Sequence, residues 1–132
     1  MECCLARFPG VPAGVLRPQV PGVQPPSARA RLHLLLYVAN WPAPRADAWR
    51  QLLRARAIEN QAYVVGVNRV GADGNGVAHA GDSAAIDFLG RTLAEGGDAP
   101  GVLSVELTQP PLAAFREKFP AHLDADRFTL EL

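Results

Sequence analysis

Residues 34–68 read LLLYVANWPAPRADAWRQLLRARAIENQAYVVGVN, and the succession of patterns in this stretch decides the fold. Leu34 to Ala39 is a short continuous apolar run, the signature of a strand buried on both faces. Asn40-Trp41-Pro42 ends it. Pro44 suits the first residue of a helix, and Asp47 in the first turn complements the positive end of the helix dipole. Trp49, Leu52, Leu53 and Ala57 then recur at helical spacing, while Arg50 and Arg54 share another face. Tyr63 to Asn68 returns to a buried strand. Strand, a helix of about fifteen residues and strand make a βαβ unit with parallel strands, so the fold class is α/β.

Downstream, Gly71-Ala72-Asp73-Gly74-Asn75-Gly76 reads as a loop rich in positive-φ positions. It lacks the Lys-Ser/Thr pair of a phosphate loop and the ligand series of a calcium loop. Ser83 to Phe88 and Arg91 to Glu95 flank Leu89-Gly90 as a hairpin. Val102 to Leu107 alternates as a further strand, and Pro110-Pro111 opens a short helix through Phe115 to Lys118. Upstream the character differs. Residues 10–31 hold Pro12, Pro18, Pro21, Pro25 and Pro26 with Gly10, Gly14 and Gly22 between them. Proline removes donors and fixes φ, so an irregular segment is expected there.

Composition excludes several classes. The chain has 132 residues, about one small domain. Thirteen basic residues balance thirteen acidic ones, so no net field favours nucleic acid or an anionic membrane. No Asp or Glu lies between Glu2 and Asp47, where five arginines do, a mild local bias. No apolar run approaches the roughly 20 residues of a membrane span, and Glu2 with no long apolar segment argues against a signal peptide. Cys3 and Cys4 are adjacent, which disfavours a disulfide framework and makes a reducing, cytoplasmic location the default. His33, His79 and His122 are too far apart for a local metal motif, so no metal is expected. Glu59, three residues after Arg56, fits a surface ion pair.

Several blocks fall in an order that resembles one family. They are Tyr37-Val38-Ala39-Asn40-Trp41-Pro42-Ala43-Pro44-Arg45, then Trp49, then Leu53 through Val64 with Arg54-Ala55-Arg56-Ala57-Ile58-Glu59-Asn60-Gln61 at its centre. Asn68-Arg69-Val70-Gly71, Asp73-Gly74-Asn75-Gly76 and Gly81-Asp82-Ser83 continue the order. Arg116-Glu117-Lys118-Phe119-Pro120 and Asp124-Ala125-Asp126 close it. Together they resemble the C-terminal half of the nitrilase superfamily of carbon–nitrogen hydrolases, and the tail resembles its ω-amidase-like branch. The resemblance implies a partial αββα sandwich over residues 32–132. It implies hydrolysis of the terminal amide of small 2-oxo acid ω-amides such as α-ketoglutaramate, with no cofactor.

In that family a Glu-Lys-Cys triad divides the work. An amide is a poor electrophile and its nitrogen must be protonated to leave, so a thiolate nucleophile and a proton-moving carboxyl share the burden. Lysine and a backbone N–H stabilise the oxyanion. Cys3-Cys4-Leu5-Ala6-Arg7-Phe8-Pro9 resembles the nucleophile segment Cys-Tyr-Asp-Leu-Arg-Phe-Pro, with Cys3, Arg7, Phe8 and Pro9 in register; Cys4, Leu5 and Ala6 depart from it. Residues 1–9 then form a remnant of that segment, with Cys3 as nucleophile and the N–H of Cys4 as oxyanion donor. Asn40 and Trp41, directly after a strand, are the substrate-binding candidates. The other two triad members lie upstream of the nucleophile in the family. Here Met1 and Glu2 alone precede Cys3, and the single lysine, Lys118, belongs to the C-terminal match. The expectation is therefore an incomplete hydrolase, inactive alone. The rivals are a non-catalytic remnant or partner of a complete subunit, or one chain of a split enzyme, associating with itself or with a complementary chain. Residues 10–31 match nothing in the family; a reading-frame slip or a variable insertion would each account for them.

Overall fold

The computed structural model describes the backbone of Cys3–Arg7 and residues 32–124, the His122 side chain excepted. The irregular segment expected at residues 10–31 lies outside the described residues, as do Phe8, Pro9 and Ala125-Asp126. Strand β1 is Cys3–Arg7 and β2 is Leu34–Ala39. A 3-10 turn at Ala43–Arg45 leads into helix α1, Ala46–Asn60, and β3 is Tyr63–Asn68. Short strands follow: β4 Val70–Ala72, β5 Ala78–Ala80, β6 Ala84–Ile86 and β7 Thr92–Glu95. Strand β8, Val102–Glu106, precedes helix α2, Gln109–Lys118, and a 3-10 turn at Ala121–Asp124.

The expected βαβ unit is present. Strands β2 and β3 pair in parallel from Leu34 against Tyr63 to Ala39 against Asn68. Antiparallel β6 and β7 complete a four-stranded sheet in the order β2-β3-β6-β7, β1 pairs in parallel with β8, and β4 pairs antiparallel with β5. The helix differs at its start. Pro44 sits in the preceding 3-10 turn and α1 begins at Ala46, still with Asp47 in its first turn.

Each face of the four-stranded sheet carries a packed core. Trp49, Leu53 and Ala57 of α1 pack with Leu35, Val64, Ala84 and Ile86 on one side. Leu107 and Leu112 pack with Tyr63, Val65, Ala85 and Phe88 on the other, with Phe115 of α2 partly buried against them. Strand β3, as its apolar run implied, is almost wholly buried. Strand β2 is not. It has no partner on its outer side among the described residues, and exposure runs from 6% at Leu35 to 78% at Val38. A continuous apolar run does not by itself distinguish an edge strand from a central one.

The end of α1 is closed from a distance. Gln61 takes a left-handed conformation (φ 46°) and its N–H bonds back to Ile58. Arg116 of α2 donates to the carbonyls of Gln61 and Leu32, so a cation lies against the negative end of the α1 dipole. Burial holds its guanidinium below the ordinary arginine value. Arg56 and Glu59 form the expected ion pair on the outer face of α1.

Two hairpins share one device. Asp73 accepts the N–H groups of Asn75 and Val77 (both 2.9 Å) and Asp87 those of Leu89 and Arg91 (2.9 and 2.8 Å). In each, a glycine at positive φ, Gly76 (78°) or Gly90 (81°), returns its N–H to the aspartate carbonyl. This is the three-residue hairpin loop that ends in a left-handed residue. The second hairpin thus turns over Asp87–Arg91 with shorter strands than the Leu89-Gly90 reading implied. The first takes Gly71 and Ala72 of the expected loop into strand β4, Val70–Ala72.

Candidate functional site

Because β2 and β3 run parallel and in register, the chain leaves the sheet twice at the same end: at Asn40-Trp41 after β2, and at Asn68-Arg69 around the end of β3. Ligand sites of open α/β sheets gather at such carboxyl ends. A cleft of about 410 Å3 opens there, lined by Val38, Val67 and Val70 together with Asn40, Asn68 and Arg69. Val38 and Val67 face the α2 side, two residues beyond Leu36 and Val65 which α2 and its neighbours cover. The cleft is therefore the uncovered continuation of that sheet face.

Asn68 organises the wall. It is buried, and a buried carboxamide must be paired. Its Oδ1 accepts the Trp41 N–H at 2.7 Å, and its Nδ2 donates to the carbonyls of Gly81 at 2.8 Å and Trp41 at 3.2 Å. The Asn68 N–H donates to Ser83 Oγ at 3.0 Å, and that hydroxyl donates back to the Asn68 carbonyl. One side chain thus ties the end of β2 to the loop before β6. That loop turns through Gly81 and Asp82, both at positive φ (69° and 56°). Arg50 pairs with the Asp82 carboxylate at 2.9 Å, and the Trp49 indole donates to the Asp82 carbonyl at 2.9 Å.

The substrate-binding candidates separate. Asn40 is exposed and lines the cleft. The Trp41 ring lies 5.8 Å from that of Trp49 and packs on the α1-side core, with the Arg45 guanidinium 4.9 Å above it and its indole N–H on the Arg45 carbonyl. Trp41 does not line the cleft; Asn68 holds its backbone N–H and carbonyl behind the wall. Cys3 and Cys4 lie on β1, opposite Val102 and Leu103 of β8; their side chains lie outside the described residues. In the sequence Asn68, Arg69 and Ser83 stand within the family-like blocks with no role of their own. The signal for Asn68 was a carboxamide at the end of a buried apolar run, where it must find internal partners. Among the described residues no group of three His, Cys, Asp or Glu is placed to hold a metal ion, and no helix is long and apolar enough to cross a membrane.

Comparison with known proteins sets this geometry in context. The sequence model of the carbon-nitrogen hydrolase family matches residues 27–117, leaving Cys3 outside the match. Omega-amidase YafV of Escherichia coli K12 is 54% identical over 98 residues, which cover 74% of this chain and 38% of that protein. The 2-oxoglutaramate amidase of Bacillus subtilis is 42% identical over 92 residues, 70% of this chain and 35% of that one. A CN-hydrolase superfamily protein of Xanthomonas campestris, solved with an arsenic adduct in its active site, is 52% identical with a TM-score of 0.72, over 75% of this chain and 37% of its own. The chain spans a little over a third of the length of these relatives.

Proposed function

Because the chain belongs to the carbon-nitrogen hydrolase family, we propose that it carries the C-terminal part of a cytoplasmic amidase acting on the terminal amide of small 2-oxo acids such as α-ketoglutaramate. The observation that carries this reading is the 54% identity with an omega-amidase over 98 residues, a length that covers 74% of the chain. In this reading Cys3 is the nucleophile, the N–H of Cys4 is an oxyanion donor, and Asn40 and Trp41 border the substrate. The thiolate adds to the amide carbon, the C–N bond breaks as ammonia leaves with a proton, and water then splits the thioester to the acid. The glutamate that moves these protons and the oxyanion lysine come from sequence outside these 132 residues.

A second reading has its own support. The family match begins at residue 27, beyond Cys3, which favours a non-catalytic partner of a complete subunit. One experiment separates the two. Ammonia release from 2-oxoglutaramate is measured for the purified chain alone, and for the chain co-expressed with an omega-amidase N-terminal segment that supplies Glu and Lys and stops before its own nucleophile. The chain alone should show no turnover. The pair should be active, and Cys3→Ala should remove at least about 10^3-fold of that rate. Turnover that survives Cys3→Ala would overturn the nucleophile assignment; an inactive pair supports the non-catalytic reading.

A further inference from the structure

Arg69 is the charged residue among those lining the cleft. Its Nη2 donates to the carbonyl of Ala72 at 3.1 Å; its other guanidinium N–H groups meet no acceptor among the described residues. Several other arginines are already engaged. Arg50 is paired with Asp82, Arg56 with Glu59, Arg45 lies over the Trp41 ring, and Arg116 is spent on backbone carbonyls. The acid that feels the charge of Arg69 is Asp73. It makes no ion pair with Arg69, and its Oδ1 is taken by the amides of Asn75 and Val77.

A guanidinium anchored by one hydrogen bond keeps a planar fork of donors free, the geometry that matches a carboxylate. Val67 and Val70, both partly buried, share the cleft lining with it and give the apolar part of a ligand a surface beside the charge. We infer that Arg69 is the specificity-determining residue of this cleft, holding the free carboxylate of an anionic amide substrate so that its amide end points away from the guanidinium. This rests on the amidase reading above and adds to it the recognition of the charged end.

The test is equilibrium binding by calorimetry, using the full purified chain and three probes: 2-oxoglutarate, 2-oxoglutaramate and the uncharged pentanamide. Both anions should bind and pentanamide should not. Raising ionic strength from about 0.01 to about 0.15 M, which shortens the Debye length from about 30 to about 8 Å, should weaken the anions. Arg69→Gln should cost about tenfold in anion affinity, the scale of one charge-assisted bond, and Arg69→Lys should recover part of it. Far-UV circular dichroism checks that both variants are folded. Anion binding unchanged in Arg69→Gln overturns the assignment while leaving the amidase reading intact. Equal binding of pentanamide, or no binding of any probe by the wild-type chain, also overturns the assignment, while the amidase reading stands or falls by the ammonia-release assay.

Discussion

Gly66 measures how closely α1 lies on the sheet. A β-carbon there would sit 2.5 Å from Leu53 Cδ1 and 2.8 Å from Trp49 Cζ2, and both side chains are already buried. Gly66→Ala should therefore destabilise by roughly 1–3 kcal/mol, the usual range for overpacking. Leu53→Ala alone should cost roughly 2–5 kcal/mol. Combined, the two should cost less than their sum, because the shortened Leu53 makes room for the new methyl. Urea unfolding of the four proteins checks this, and strict additivity would remove the close contact from the explanation. The glycine was visible in the sequence, but its reason was not: Tyr63-Val64-Val65-Gly66-Val67-Asn68 does not say which helix residues press on it. The same holds for Asn68, whose partners Trp41, Gly81 and Ser83 come from separate stretches of chain.

At the scale of elements, β2, α1, β3 and β8 were legible because each repeats its apolar residues at one period, and α2 because Pro110-Pro111 marks its first turn. The hairpin turns were legible as turns, but their bounds were not, because these are set by side-chain to backbone bonds, which periodicity does not report. Both begin with Asp-x-x-Gly, Asp73 to Gly76 and Asp87 to Gly90, and that spacing was the available signal. The first turn carries a pH dependence of defined sign. The Asp73 carboxyl is held below its ordinary value of 3.8 chiefly by the Val77 N–H, with the Asn75 N–H also lowering it. A depressed folded value means that the unfolded chain takes up the proton first as pH falls. The stabilisation is complete above pH 3.8 and is lost as pH drops through the lower folded value. Amide exchange at Asn75 and Val77, corrected for intrinsic rates, should accelerate there. Asp73→Asn, which keeps an acceptor and cannot titrate, should abolish the step; an unchanged step would place the titration elsewhere.

For the whole molecule, the apolar strands β2 and β3 implied a need for cover on both faces, and the chain meets most of that need itself. Leu53 closes one side, and the fully buried Leu107 and Leu112 close the other. The sequence pattern did not show that residues after Thr108 would fold back over β3, since nothing local to Pro110-Pro111 names its packing partner. What stays open is narrower than an entire face: the strip at the strand ends, with Val38 78% exposed and Val67 beside it in the cleft. Exposed apolar surface next to a strand edge with no partner among the described residues invites association. The purified chain should therefore elute at increasing apparent mass as its concentration rises. Val38→Lys should hold it at monomer mass, because a charge on that strip must be desolvated before two copies can meet. Its unfolding midpoint should move little, since a side chain already in solvent contributes little burial to folding. Size-exclusion chromatography over a concentration series, with a thermal melt of each protein, reads both effects. A wild-type chain that stays monomeric throughout, or a Val38→Lys variant that associates as the wild type does, would show that the strip is not the adhesive surface.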